Sequence, residues 1–168
     1  YIPSLEFNWR LSSQTKINIA TSGVFGNRSS VMLDAFANIP DTVNVTTGAY
    51  KNRQVDIDNF NSRTIELRLL HAYQIGKLQS KLAAGVVYMN NDLHRRQLGK
   101  GTTGSDYDLT LVEPGFVRDV HFKTNNIALF AENVLQLNTR WTISPGIRFE
   151  NGISKMSGII KYYSANEL

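Results

Sequence analysis

Wherever a period is visible along this chain, it is two. Leu5, Phe7, Trp9 and Leu11 alternate with Glu6, Asn8, Arg10 and Ser12, and residues two apart share one face of an extended strand. A polar turn at Ser12-Ser13-Gln14-Thr15 follows, after which Ile17, Ile19 and Phe25 alternate with Lys16, Asn18, Ala20 and Ser22. Two alternating runs joined by a short polar turn predict a hairpin. The figure returns at Ile65, Leu67, Leu69 and Tyr73 against Glu66, Arg68 and Gln74, then passes through Gly76-Lys77 into Leu82, Ala84, Val86 and Tyr88 against Lys81, Ala83 and Gly85. It returns again at Ile127, Leu129, Leu135 and Leu137. Asn138-Thr139-Arg140 leads there into Trp141, Ile143, Pro145, Ile147 and Phe149, against Thr142, Ser144, Gly146, Arg148 and Glu150. The expected strands cover about 4–12, 16–27, 62–74, 78–90, 124–137 and 140–151. In 125–136 the facing stays open, because Phe130 and Val134 fall on the face that carries Glu132.

Between the hairpins run two long polar segments, about 28–61 and 90–123. Structureless loops above about 12–15 residues are uncommon in compact soluble domains. Short turns at one rim and long loops at the other are the rule in outer-membrane barrels, whose strands of about 10 residues are apolar outside and polar inside. The pattern therefore predicts an all-β fold, part of a transmembrane antiparallel β-barrel, with six strands in three hairpins and the long segments as extracellular loops. Ile17, Leu67, Val86, Leu129 and Ile143 are expected to face the membrane. Trp9, Tyr73 and Trp141 would form an interfacial aromatic girdle on the short-turn side, with Phe25 and Tyr88 at the other ends of their strands. A sandwich core would use the same aromatics, and charge separates the two readings. Glu6, Arg10, Glu66, Arg68, Lys81, Arg148 and Glu150 project from the face opposite the aliphatic residues, which suits a wet or plugged lumen and not a two-sided apolar core. Six strands do not close a membrane barrel, whose smallest forms have eight, and an open edge in lipid would leave backbone groups unsatisfied. Further strands are expected outside the segment. The ends agree: the chain starts at Tyr1 without a leader and stops at Glu167-Leu168 inside a patterned stretch, so it is expected to be a piece of a longer protein.

Composition narrows the chemistry. With 168 residues, 42% hydrophobic and 19% charged, the chain is unlike a disordered one. No apolar run approaches the ~18 residues of a spanning helix. The absence of cysteine removes disulfide scaffolds, thiolate catalysis and Cys-based zinc sites, and leaves the compartment open. Lys plus Arg number 18 against 14 Asp plus Glu, too small an excess to imply nucleic acid without a clustered basic face. From Asn90 to Thr124 five basic residues (Arg95, Arg96, Lys100, Arg118, Lys123) meet five acidic ones (Asp92, Asp106, Asp108, Glu113, Asp119). Those carboxylates would repel the phosphates that the arginines attract, so no nucleic-acid partner is expected.

Several motifs match catalytic or metal-binding spacings without their context. Gly99-Lys100-Gly101-Thr102-Thr103-Gly104 has the glycine spacing of a dinucleotide fingerprint, but no helical period follows to bring a helix N-terminus to a pyrophosphate. A flexible loop tip is the expectation. Asp56 and Asp58 have calcium-loop spacing, yet Phe60 takes the next ligand position and no glycine follows, so they read as solvated loop acids. His71, His94 and His121 lack a short fixed spacing for one metal. No nucleophile elbow is present, and no enzymatic activity, cofactor or metal site is expected. The cluster with a chemistry to offer is His94-Arg95-Arg96 with Lys100, joined by Arg53 and Arg118. Guanidinium forks match carboxylates bidentately, which suits capture of an anionic, carboxylate-bearing chelate. The competing reading is lipopolysaccharide contact, or pairing within the loop to Asp106 and Asp108.

The hairpin Asn126-Ile127-Ala128-Leu129-Phe130-Ala131-Glu132-Asn133-Val134, followed by Trp141-Thr142-Ile143-Ser144-Pro145-Gly146-Ile147-Arg148-Phe149-Glu150, resembles one common in TonB-dependent outer-membrane receptors. There an aromatic-Ala-(Glu/Gln)-(Asn/Asp) strand precedes a (Thr/Ser)-Pro-Gly-(Leu/Ile/Val)-Arg-(aromatic/Val)-Glu strand. Residues 50–61 and 90–104 are similar to the ferric citrate (iron dicitrate) receptors of that family, especially those of Bacteroidetes-like bacteria. The resemblance implies a share of a 22-stranded barrel around an N-terminal plug, in the bacterial outer membrane. It implies active uptake of a ferric chelate, ferric citrate or a related siderophore, energised by the TonB complex, with outer-membrane lipid and lipopolysaccharide as surroundings. The plug, the TonB box and the terminal aromatic signature are not among these residues, so gating and energy coupling are assigned to none of them. A receptor of the same barrel for a carbohydrate or cobalamin is the nearer alternative, and a passive porin or adhesin the farther one.

Overall fold

The computed structural model describes residues 1–104 and 106–161; the terminal pair Glu167-Leu168 lies outside the described residues. The chain is an antiparallel all-β sheet without helices among those residues. Seven strands follow one another: β1 (Ser4–Arg10), β2 (Thr15–Met32), β3 (Gln54–Ile75), β4 (Leu78–Lys100), β5 (Arg118–Gln136), β6 (Thr142–Ile143) and β7 (Gly146–Ile160). They pair in the order β1-β2-β3-β4-β5-β6, and β7 also pairs β5.

The three expected turns are present, and each has a local cause. Ser12 Oγ accepts the N–H groups of Gln14 and Thr15, both at 3.1 Å, and Asn138 Oδ1 accepts those of Arg140 at 2.8 Å and Trp141 at 2.9 Å. Side-chain oxygens of this kind replace the backbone acceptors that a reversing chain lacks. Between β3 and β4 only Gly76-Lys77 intervene, with Gly76 at φ +61°. A two-residue loop opening on a left-handed glycine matches the twist of its strands.

Two expectations about strand extent are corrected. The sixth predicted strand is divided into β6 and β7 at Ser144-Pro145, because proline has no N–H to give to a ladder. Its carbonyl still accepts from Asn133 N at 2.9 Å. The other strands run far into the segments expected to be loops, so only 33–53 and 101–117 remain as connections there. Those extensions are rich in polar and charged residues, as in 91–100 and 28–30, and even where 54–58 alternates polar with apolar the run is too short and charged to stand out from a loop.

Contacts divide the chain into two compact units. The first holds Tyr1–Val24, Asn61–Asn91 and Thr124–Ser154, close to the stretches with legible alternation. Its ladder pairs Phe7 with Ile19 and Trp9 with Ile17 on one face, and Asn8 with Asn18 on the other. Asn18 Nδ2 donates to Glu6 Oε1 at 2.6 Å and to Asn8 Oδ1 at 2.9 Å. In β3 the apolar Ile65 and Leu67 are exposed while Thr64, Glu66 and Arg68 are half-buried. The residues expected to face lipid lie on the apolar face: Leu67, Leu129 and Ile143 are exposed, and Ile17 and Val86 half-buried. Trp9 and Trp141 are exposed at the short-turn rim. Tyr73 is half-buried there, stacked on His71 at 5.8 Å and accepting from Asn133 Nδ2 at 2.9 Å.

The facing left open in β5 is now fixed. Ile127 and Leu129 are exposed, whereas Phe130 lies against Gly85, where an added Cβ would come within 2.6 Å of its ring. The Arg68 guanidinium sits 5.8 Å from the centroid of that ring. Phe130 therefore belongs to the polar face and fills the space a side chain at position 85 would need.

Candidate ligand-binding face

The second unit comprises Phe25–Phe60, Asp92–Lys123 and Lys155–Leu168. It buries charge. Asp58 is fully buried and Asp56 nearly so, both inside β3, which overturns the expectation of solvated loop acids. A buried carboxylate requires partners, and these have them. Arg28 Nη2, from β2, bonds Asp58 Oδ2, and Arg95 Nε, from β4, lies 3.3 Å from Asp58 Oδ1. Asp56 accepts both from the Gln54 amide at 3.1 Å and from Leu98 N at 2.9 Å. Leu98 sits at φ +59°, a left-handed backbone that L residues rarely adopt. The carboxylate of Asp56 holds it there.

Strand parity sorts the five basic residues singled out from the sequence. Arg95 and Arg96 are adjacent on β4 and so project to opposite faces. One ligand cannot take both. Arg95 shares the polar face with Asp58 and with Gln97, whose Oε1 accepts from Arg118 Nη1 at 2.9 Å. Arg96 lies on the other face, 5.7 Å from the centroid of Phe116, and its buried Nε has no hydrogen-bond partner. Lys100 bonds Glu113. Arg53 is buried, bonded to Asp41 and, through Nε, to the Gly104 carbonyl at 3.0 Å. The loop cations are thus largely paired, but to Asp58, Glu113 and Asp41 instead of Asp106 and Asp108. Arg28, which sequence reasoning passed over, completes the polar-face set. It stands alone among small and polar residues, and only the pairing of β2 with β3 brings it to Asp58.

One further expectation changes, and two of the histidines acquire partners. Gly99 and Gly101 are buried, not a loop tip: an added Cβ at 99 would come within 2.8 Å of both Leu111 and Phe116, and at 101 within 2.7 Å of Val55. The glycines are packing positions where β4 ends. His94 and His121, far apart in sequence, stack with ring centroids 3.9 Å apart. His94 Nε2 bonds Asp119 Oδ1 at 2.7 Å and His121 Nδ1 bonds Asp92 Oδ1 at 2.9 Å. Each imidazole thus has a carboxylate on one nitrogen, and among the described residues no three such groups are arranged to hold a metal ion.

The polar face of this unit therefore carries three guanidinium groups, Arg28, Arg95 and Arg118, from three strands. Asp58 is the acid that answers two of them, while Asp56 is held by neutral groups. Such a surface offers forked N–H donors to an anion.

A family model described as TonB dependent receptor-like, beta-barrel matches residues 2–157. Among solved structures, the ferric citrate transporter FecA in its unliganded form is similar over 92% of this chain and 21% of that one, at a TM-score of 0.71 and 24% sequence identity. The chain thus spans about a fifth of the length of that transporter. No curated protein matches it significantly.

Proposed function

The chain belongs to the β-barrel family of TonB-dependent receptor-like proteins, and from that premise we propose that it serves the active uptake of an anionic ferric chelate across the bacterial outer membrane. Ferric citrate, or another acid-bearing siderophore, is the ligand in this reading. The TonB complex energises transport through a plug and a TonB box outside residues 1–168. Outer-membrane lipid and lipopolysaccharide surround the apolar face.

The observation that carries the proposal is the set of guanidinium groups on one polar face, Arg28, Arg95 and Arg118, of which Asp58 answers the first two while Arg118 donates to the neutral Gln97. Their excess positive charge and forked donors suit a ligand rich in carboxylate oxygens. A neutral carbohydrate or a cobalamin would leave that charge without a counterpart. The similarity to a ferric citrate transporter supports the same ligand class.

The test is calorimetric titration of ferric citrate into a purified receptor carrying this segment in its complete barrel. A charge-assisted contact to the ligand is worth about 1.5–3 kcal/mol, so Arg95→Ala and Arg118→Ala should each weaken binding about 10–100-fold. Arg96→Ala should change affinity by less than about twofold, because Arg96 lies on the other face of the strand against Phe116 and makes no contact with a ligand on the polar face. Unchanged affinity in an Arg95→Ala, Arg118→Ala double variant would remove these residues from the ligand site.

A further inference from the structure

Asp58 is the most deeply buried ionisable side chain of the polar face, with none of its surface exposed. One arginine would neutralise it. It has two, one from each neighbouring strand and one on each carboxylate oxygen: Arg28 from β2 on Oδ2, and Arg95 from β4 on Oδ1 at 3.3 Å. We infer that Asp58 is a positioning residue which joins Arg28 and Arg95 into one clamp for a carboxylate, or a similarly forked oxyanion, of the ligand. The inference deepens the proposed uptake of an anionic chelate and rests on it.

Three features support the clamp. Asp58 engages Arg28 through Nη2 and Arg95 through Nε, while each guanidinium has five N–H donors. Donors remain for a ligand. The arginine side chains stay reachable, 61% exposed for Arg28 and 33% for Arg95, above an anchor that is not. The neighbouring acid on the same face, Asp56, is occupied by the Gln54 amide and the Leu98 N–H, so it does not draw the two arginines away. Long cationic side chains lose rotamer freedom when they bind. An anchor that fixes both forks before the ligand arrives removes much of that cost, and the triad still carries a net charge of about +1, favourable to an anion.

The sign of one variant separates this role from a merely structural or electrostatic one. If the arginines attract the ligand only as charges, Asp58→Asn removes a nearby negative charge and tightens binding. If Asp58 positions them, the same variant loosens both forks and weakens binding about tenfold or more. The experiment is calorimetric titration of ferric citrate into the complete receptor, wild type against Asp58→Asn and Arg28→Lys, with folding checked by heat-modifiable migration on gels. Arg28→Lys keeps the charge on Asp58 and loses the fork, so it too is expected to weaken binding about tenfold. Unchanged or tighter binding by folded Asp58→Asn overturns the clamp. Should that variant fail to fold, Arg28→Lys decides alone, and unchanged affinity overturns the clamp equally. Absence of ferric citrate binding by the wild type would overturn the proposed function and the clamp with it, an outcome distinct from either variant result.

Discussion

Gly85 holds its place through the atoms around it. An added Cβ would come within 2.4 Å of the Leu67 carbonyl oxygen and 2.6 Å of the Phe130 ring. The ring can turn aside, but the carbonyl belongs to the neighbouring strand. Gly85→Ala should therefore destabilise the folded barrel by about 1–3 kcal/mol, in the range of overpacked positions, measured as a lower urea midpoint in lipid vesicles. Adding Phe130→Ala should restore only part of the loss; full restoration would show that the ring alone excludes a side chain. Asp108 makes a different local case. It accepts the backbone N–H of Thr110 at 2.9 Å, and this bond, then the Thr110 hydroxyl, holds its pKa below the ordinary 3.8. A carboxylate with a depressed folded-state pKa stabilises its turn at pH values above the ordinary one. That contribution is lost as pH falls through the depressed value. A carbon-13 titration of Asp108 should give a midpoint below 3.8; a midpoint at or above it would mean that the Thr110 bonds do not persist in solution.

Among the strands, alternation and pairing divide the labour. In the first unit each hairpin shows apolar side chains on one face and charged or amide side chains on the other, as Phe7, Trp9, Ile17 and Ile19 do against Asn8 and Asn18. Exposure is inverted relative to a water-soluble sheet. Leu67 and Leu129 are 44% and 54% exposed, while the buried apolar residues among those described are Val55, Val120 and Ala128. Such a face is at low free energy only against hydrocarbon. Nitroxide labels at Ile17, Leu67, Val86, Leu129 and Ile143 of the complete receptor in vesicles should show high oxygen and low nickel-chelate accessibility. Labels at Glu66 and Arg68 should show the reverse. Water accessibility at most of the first five would assign the apolar face elsewhere.

For the molecule as a whole, strand length is the informative quantity. Strands β2 to β5 have 18, 22, 23 and 19 residues, about twice the 9–11 that cross a bilayer. The chain spans about a fifth of the transporter it is similar to, and a barrel of that family encloses a plug. The open reading frame containing this segment should therefore encode, upstream, a globular domain of about 100–150 residues. Sequencing the flanking gene tests this, and a barrel-length frame with no such domain would favour a passive porin over a TonB-dependent receptor.

What the sequence determined by itself was the apolar half of the barrel segment. Strand starts at Ser4 and Leu78, the turn at Gly76-Lys77 and the turn at Asn138 were all legible, because period-two alternation and turn chemistry are local properties. The polar strand extensions and the candidate ligand face were not. Asp58 looks like a solvated acid until β2 and β4 bring Arg28 and Arg95 to its two oxygens, and the pairing of His94 with Asp119 spans 25 residues. An ion pair between strands leaves no period along either of them. The cluster His94-Arg95-Arg96 was visible as charge, yet its division between two faces follows from β4 continuing to Lys100. Only the tertiary structure decided which cations share one polar face, since that depends on register between strands, which sets distance in space without setting any spacing in sequence.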